Sequence, residues 1–291
     1  MTDPIINRST RLVAVGDNCL DVYVDQRVMA VGGNALNVAV QWVRHGWPAR
    51  YFGAVGEDAE GKMLLEEVAT AGLAQRDVER RPGDTAVTLI RERAGDRHFL
   101  LEELGVGEGY LPSPNRHATL RDADWVHLGT HSDAALVRRL VDEQVPFSVD
   151  VSTQPQSLAL SGVPLVFASG PEAADTPIEP MVHALLDSGA HKAIVTCGSR
   201  GAWFHDGTVL HHYPAENIET MDTCGAGDSF IAAFLTAYCM SGARPQDAMA
   251  EATRAAARTC LHKGGFPQKL RPAPDWLLAK YADIIDAAKE C

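Results

Sequence analysis

The sequence predicts one large α/β domain, built on a central, mostly parallel sheet flanked by helices, with a small β-sheet lid inserted. Three observations carry this. Short β-branched runs alternate along the chain with longer helical patterns, the rhythm of βαβ units. The stretch "DTAVTLIRERAGDRHFLLEE" breaks that rhythm with two alternating runs around Ala94-Gly95-Asp96, which reads as an antiparallel hairpin foreign to a parallel core. No internal repeat or low-complexity segment divides the 291 residues, so the whole chain, 1–291, is read as one domain.

Taken in order, "RLVAVGD" is a first strand, and the Val-rich "CLDVYV" and "RVMAVGG" can pair as a small hairpin. "NALNVAVQWVRHG" reads as a helix stopped at Gly46, "ARYFGAVG" as a strand, and "AEGKMLLEEVATAG" as a helix stopped at Gly72. The hairpin follows, and segments of about 19–31 and 84–104 are expected to form the lid. Alternation then resumes with "DADWVHLGT", "SDAALVRRLVDEQ", "PFSVDVS", "PLVFASG" and "IEPMVHALLDSGA". "KAIVTCGSRGAWFHDGTVLHHYP" is a strand leading into a further hairpin, in which His211 and His212 point to opposite faces as surface residues rather than metal ligands. "SFIAAFLTAYCMSG" and "RPQDAMAEATRAAARTCLHKG" are read as the last two helices.

Composition narrows the function. With 46% hydrophobic and 22% charged residues the chain can bury a full core and stay soluble. No apolar run nears the roughly 18 residues of a membrane span, and the start "MTDPIINRST" shows no signal-peptide pattern, so a cytoplasmic protein without a membrane partner is expected. A net charge of −12 with scattered acids argues against nucleic-acid binding, whose affinity rests on basic surfaces that displace phosphate counterions. The six cysteines form no CxxC pair and no zinc spacing, so they read as reduced thiols. Cys224 is set apart because it lies in the loop discussed next.

Three stretches carry chemistry. In "MDTCGAGDSF", Gly225, Ala226 and Gly227 precede an apolar helix, where unpartnered N–H groups and the helix dipole form an anion site. Asp228 beside that site could take a proton from an alcohol while the N–H groups stabilise a transferring phosphoryl group; a helix cap after an ordinary turn explains it equally. The loop is no Walker P-loop, for it has no lysine, and no GxGxxG follows the first strand to support a nicotinamide oxidoreductase. In "VGGNALNVAV", Asn34 and Asn37 lie three apart on one helix face and can bind vicinal hydroxyls, with Asp21 of "GDNCLD" accepting from another. The plain alternative makes Asn34 an N-cap and Asn37 a solvated residue. "TCGSRGAW" places Gly198 and Gly201 after a strand end, where α/β sheets gather nucleotides or simply turn.

Together these segments resemble the ribokinase-like (PfkB) carbohydrate kinases over residues 11 to 268, in "GGNALNVAVQWVRHG", "VGEDAEGKMLLEEVATAGL" and "DTCGAGDSFIAAFL". The resemblance implies a ribokinase-like fold and an ATP- and Mg²⁺-dependent transfer to a primary hydroxyl. It makes Asp228 the base and Gly225, Ala226 and Gly227 the anion hole. It places Asp21, Gly33 and Asn37 at sugar-contacting positions, with Asn34 where such side chains vary. Glu172 of "SGPE" matches the acid that orders magnesium through water, although Ser169 stands where the family motif has Asn. Thr196, Gly198 and Gly201 match the nucleotide loop, and Lys263 and Gly264 of "LHKGG" lie where the family closes over adenine. Asp222 lies where some relatives bind potassium (K⁺), though the sequence itself assigns no cation. Many relatives dimerise through the lid, so the resemblance implies a homodimer. "GDNCLDVY", "GGNALNVAV" and "FASGPE" look most like the fructoselysine 6-kinases, whose ketose-amine substrate would need partners for an amine and a carboxylate; Glu102, Glu103 and Arg97 are candidates, or merely solvated. Other acceptors (fructose, ribose, a 2-keto-3-deoxy sugar acid, a nucleoside) and a non-catalytic sugar or nucleotide sensor stay open.

Overall fold

The computed structural model describes residues 11–93, 96–152, 154 and 158–288. The Ala94-Gly95 turn and Cys291 lie outside them. The first half of the chain contributes β1 (Leu12–Val15), β2 (Cys19–Tyr23), β3 (Val28–Gly32), α1 (Asn34–Arg44), β4 (Ala49–Gly56), α2 (Ala59–Thr70), β5 (Val78–Arg81), β6 (Val87–Arg93) and β7 (Asp96–Glu103). Then come α3 (Pro114–Arg121), β8 (Trp125–Leu128), α4 (Ala134–Asp142), β9 (Phe147–Asp150), β10 (Leu165–Ser169), α5 (Glu179–Asp187) and β11 (Ala193–Thr196). The chain continues through β12 (Ala202–His205), β13 (Leu210–Tyr213), α6 (Ala226–Phe234), α7 (Pro245–Thr259), β14 (Arg271–Pro272), α8 (Asp275–Lys280) and α9 (Ala282–Ala287).

Among the described residues nine strands form the large sheet in the order β13-β12-β11-β10-β9-β8-β1-β4-β5. From β11 to β5 all neighbours run parallel, and β12 and β13 complete the edge as an antiparallel hairpin. Parallel strands covered on both faces need apolar side chains on both, which is why "LVAV" of β1 is buried throughout. Alternate residues feed two cores. Leu12, Ala14, Leu165 and Phe167 join helices α1, α6 and α7, while Val13, Val15, Val166 and Ala168 pack with α4 and α5 on the other side. His211 and His212 do face opposite ways, paired across from Phe204 and Trp203, but His211 is half-buried and bonds Asp206 at 2.8 Å.

The smaller sheet has the order β14-β3-β2-β6-β7. The expected β2–β3 and β6–β7 hairpins are both antiparallel and join through a parallel β2–β6 pairing. Its period-2 alternation gives it two characters. Leu20, Val22, Val31, Val87 and Leu89 belong to the main core with Leu64 and Val68 of α2 and Leu277 and Tyr281 at the C-terminal end. The opposite face carries Asp21, Tyr23, Thr88 and Ile90.

Several elements depart from the sequence reading. The helix expected over "SFIAAFLTAYCMSG" begins at Ala226, and widens to a π turn over Leu235–Met240, where the Thr236 hydroxyl donates to the carbonyls of Ala232 and Ala233 at 3.1 and 3.0 Å. α7 is not the last helix, because α8 and α9 follow it. α3, β5 and β14 were also not foreseen. Among the described residues no helix is long and apolar enough to cross a membrane.

Candidate active site

The candidate site lies beyond the carboxyl ends of the large sheet's strands, where open α/β sheets gather ligands. Its first support is a close crossing of backbone. Gly33 caps α1 with φ 108° and ψ 135°, and a Cβ there would come within 2.3 Å of the Asn18 Cα, so only glycine fits. The approach brings Asp17, just past β1, to the start of α1, where its carboxylate accepts from the N–H groups of Asn34 (2.6 Å) and Ala35 (3.2 Å). Asp17 therefore does the capping that the plain reading gave to Asn34. Asn34 is the first residue inside the helix, and its side chain is free for other work.

That work is shared along one stripe of α1. Asn34 Nδ2 donates to Asp228 Oδ1 at 2.7 Å, and Asn37 Nδ2 to Asp228 Oδ2 at 2.6 Å. Gln41, one turn further, donates to Ser229 Oγ at 2.9 Å and to the Gly265 carbonyl at 3.2 Å. Spacings of three and four residues keep all three amides on the face that meets the first turn of α6. Asn37 is no solvated residue, being only 2% exposed. The Asn34 amide also reaches Asp150 Oδ2 at 2.8 Å, so it bridges two carboxylates.

Burial of this acid cluster costs charge. Desolvation pushes Asp228 up to about 7, reinforced by the Asp150 and Asp17 charges and opposed by the Asn37 and Asn34 amides. Desolvation also pushes Asp150 up to about 7, against the hydrogen bond from the Ser152 N–H. Asp17 is raised for the same reason, although the Ala35 and Asn34 N–H groups resist it. Two carboxyls poised near neutrality beside one amide form a proton-accepting site.

The loop before α6 is built for close approach. Gly225 sits in the left-handed region at φ 70°, and a Cβ there would meet the Gly265 Cα at 2.3 Å. A Cβ on Gly227 would meet no protein atom within 4 Å. In the first turn the Ala226 N–H donates to the Thr223 carbonyl at 3.3 Å, while those of Gly227 and Asp228 have no helical carbonyl to donate to. Asp222 anchors the loop from below, accepting from the Tyr23 hydroxyl (2.8 Å), the Cys224 N–H (2.9 Å) and the Gly264 N–H (3.0 Å). Lys263 lies 5.2 Å from the Tyr23 ring centroid and bonds Gln26, so the "LHKGG" segment ties the loop to the small sheet. Asp21, also on that sheet, is 5% exposed and accepts from the thiols of Cys19 (3.1 Å) and Cys224 (3.6 Å).

Thr196, Gly198, Gly201 and Glu172 form a second group on the same edge, at the ends of β10 and β11. A Cβ on Gly198 would fall 2.6 Å from the Glu172 carboxyl carbon, and Arg200 holds the Glu172 turn through the Pro171 and Ala173 carbonyls at 3.1 and 2.7 Å. Sequence reasoning missed Asp17, Asp150, Gln41 and His127. The stripe spacing from Asn37 could have found Gln41, and a strand-end position could have flagged Asp150.

Comparison with known proteins supplies the family. The model of the pfkB family carbohydrate kinases matches residues 5–269. The chain is a PfkB-family carbohydrate kinase. It is 32% identical over 267 residues to the fructosamine kinase FrlD of Bacillus subtilis (strain 168), covering 88% of this chain and 93% of that one. It is likewise 32% identical over 260 residues to the fructoselysine 6-kinase of Shigella flexneri, covering 88% and 99%. Among solved structures, the Arabidopsis thaliana ribokinase complexed with ribose and ATP superposes with a TM-score of 0.75 at 21% identity, over 89% of this chain and 96% of that one. The kinase thus has the ribokinase-like fold and is an ATP-dependent phosphotransferase with an alcohol acceptor.

Proposed function

We propose that this kinase phosphorylates the primary hydroxyl of a sugar-amine of the fructoselysine type, with Asp228 as the base. The observation that carries the chemistry is the Asp228 carboxylate, held on both oxygens by amides at the foot of a helix whose Gly227 faces no protein atom. The fit to ATP rests on that cradle: Gly225, Ala226 and Gly227 would hold the transferring phosphoryl group, and Thr196, Gly198 and Gly201 the nucleotide. Glu172 would hold magnesium through water, and the ion would neutralise phosphate charge. Asp228 takes the proton of the acceptor hydroxyl, and the loop N–H groups stabilise the charge on the transferring oxygens. The small sheet acts as a lid that excludes water. Asp222 already receives three donors, and we assign no potassium to it.

The acceptor class is supported by register. Ala30, Asp21, Thr88 and Glu102 lie abreast across β3, β2, β6 and β7, so Glu102 is exposed on the face that carries Asp21. Glu103 points the other way and accepts from the Tyr281 hydroxyl at 2.9 Å. Of the two acids, Glu102 is thus the partner for a cationic amine. The two relatives' names, a fructosamine kinase and a fructoselysine 6-kinase, agree with that class. A homodimer through the lid would use this face, where Phe99 is 61% exposed, because the other is covered by the chain's own α8 region. The kinase would work in the cytoplasm.

The test is ADP release with ATP and Mg²⁺ against fructoselysine, fructose, ribose, 2-keto-3-deoxygluconate and adenosine. Turnover with fructoselysine alone is expected; turnover with a neutral sugar instead would keep the mechanism and remove the acceptor. Glu102→Gln should raise the KM for fructoselysine about fivefold, one exposed charge pair of about 1 kcal/mol, without moving the KM of a neutral acceptor. Equal KM values in both proteins would take Glu102 off the amine. Asn37→Ala should lower kcat about tenfold as well as raise the sugar KM, because its amide grips the base. A raised KM at unchanged kcat would leave Asn37 with the sugar alone.

A further inference from the structure

His127, fully buried in β8, lies outside every motif discussed above, yet it touches the site through a single intermediary. Its Nε2 is 3.4 Å from Asn34 Oδ1, and its Nδ1 is 3.0 Å from Ser148 Oγ on β9. Ser148 in turn lies 3.1 Å from Trp125 Nε1. The chain of contacts has one sense. Asn34 Nδ2 faces carboxylate oxygens of Asp150 and Asp228, which accept when ionised, so the amide must present its carbonyl to the imidazole. That carbonyl can only accept, so Nε2 carries the proton and Nδ1 is bare. Ser148 then donates to Nδ1 and accepts from the indole, which can only donate. Turning the Asn34 amide over would place its carbonyl against two carboxylates, unless both were protonated.

We propose that His127 is a positioning residue for the kinase reaction: through the one-way chain Trp125, Ser148, His127, Asn34 it holds the Asn34 NH₂ toward Asp228 and Asp150 and so aims the base. The inference rests on the reading of Asp228 as base. Burial supports it independently, since it pushes His127 down to about 3 and keeps the imidazole neutral through the working range. Phe167 packs edge-on at 6.1 Å between ring centroids and fixes the ring plane without competing for either nitrogen.

Two measurements test this. In ¹⁵N-histidine-labelled wild-type protein, imidazole NMR should show a neutral His127 from about pH 5.5 to about pH 8.5, across the ordinary histidine midpoint of about 6.5, with Nε2 protonated and Nδ1 bare above about pH 7, where Asp228 and Asp150 are ionised. An Nδ1–H tautomer or a titrating ring overturns the chain's sense whatever the role of Asp228. In kinetics, His127→Gln keeps an N–H donor toward Asn34 and should retain kcat within about threefold, whereas His127→Phe keeps the shape without the donor and should lose about tenfold or more in kcat, with ATP KM unchanged. If folded His127→Phe turns over like wild type, or if both variants lose kcat equally, the positioning role is wrong. Ser148→Ala gives a second route should His127→Phe not fold: it frees the tautomer, so a fall in kcat is expected and an unchanged kcat refutes the chain. Asp228→Asn, judged separately below, tells failure of the base from failure of its support.

Discussion

Asp228→Asn is expected to leave ATP binding near the wild-type value and to lower kcat by about two or more orders of magnitude, the scale of a lost general base. The substitution is isosteric, so packing around α6 survives. It removes the acid that both Asn34 and Asn37 address, and it turns one carboxylate oxygen into an NH₂ facing an amide donor. Calorimetric ATP binding beside coupled-assay turnover checks it: wild-type turnover would take the base role from Asp228. The same carboxyl sets a pH limb. With Asp228 and Asp150 both raised to about 7, kcat/KM should climb as pH rises toward about 7 and level off above it, because only the ionised form accepts the proton. The observed midpoint belongs to the coupled pair. Asp150→Asn removes a like charge and should move the limb to lower pH; a limb that stays in place would uncouple the two groups. Stability runs the opposite way. Both carboxyls bind protons more tightly folded than unfolded, so their contribution is fully present below the unfolded value of about 4. It is lost as pH rises through about 7.

Two glycines two residues apart should separate folding from catalysis. Gly225→Ala puts a Cβ 2.3 Å from the Gly265 backbone and forces a left-handed conformation on an L-residue. Strain of that kind costs about 2–4 kcal/mol and should lower both the unfolding midpoint and activity. Gly227→Ala places its methyl where no protein atom lies within 4 Å, inside the first turn of α6. Helix propensity alone would make that variant as stable as wild type, or more stable by up to about 1 kcal/mol. Activity should nevertheless fall at least about tenfold, because the methyl occupies the space given to phosphoryl oxygens. Wild-type kcat in a stabilised Gly227→Ala protein would remove Gly227 from the cradle.

The parallel sheet was legible because buried strands such as "LVAV" and "LVFAS" leave little choice of environment, and the two hairpins announced themselves by alternation. α3 was not, since "PNRHATLR" buries only His117 and Leu120 and has almost no apolar periodicity. α8 and α9, six residues each, are too short for a period to show. In the site, Gly225, Gly227, Asp228, Asn34 and Asn37 could be read because local spacing relates them. Asp17, Asp150 and His127 each stand alone on the chain, and only the sheet brings them around Asn34, Asp17 at its backbone N–H and Asp150 and His127 at its side-chain amide. The amides themselves were read as sugar ligands, and what the fold adds is that they grip the base.

The stripe on α1 has a consequence for how the molecule comes into being. Its three amides close contacts with α6 across 194, 191 and 188 residues of chain, and Tyr23 meets Asp222 across 199. Long loops close late and slowly. During synthesis on the ribosome, β1, β4, β8, β9 and β10 have all emerged before the segment that carries Asp228, so a nascent chain can hold a sheet while the base has nothing to lean on. Catalytic competence should arrive last, on docking of the final third, and refolding followed by recovered turnover should lag refolding followed by helix content.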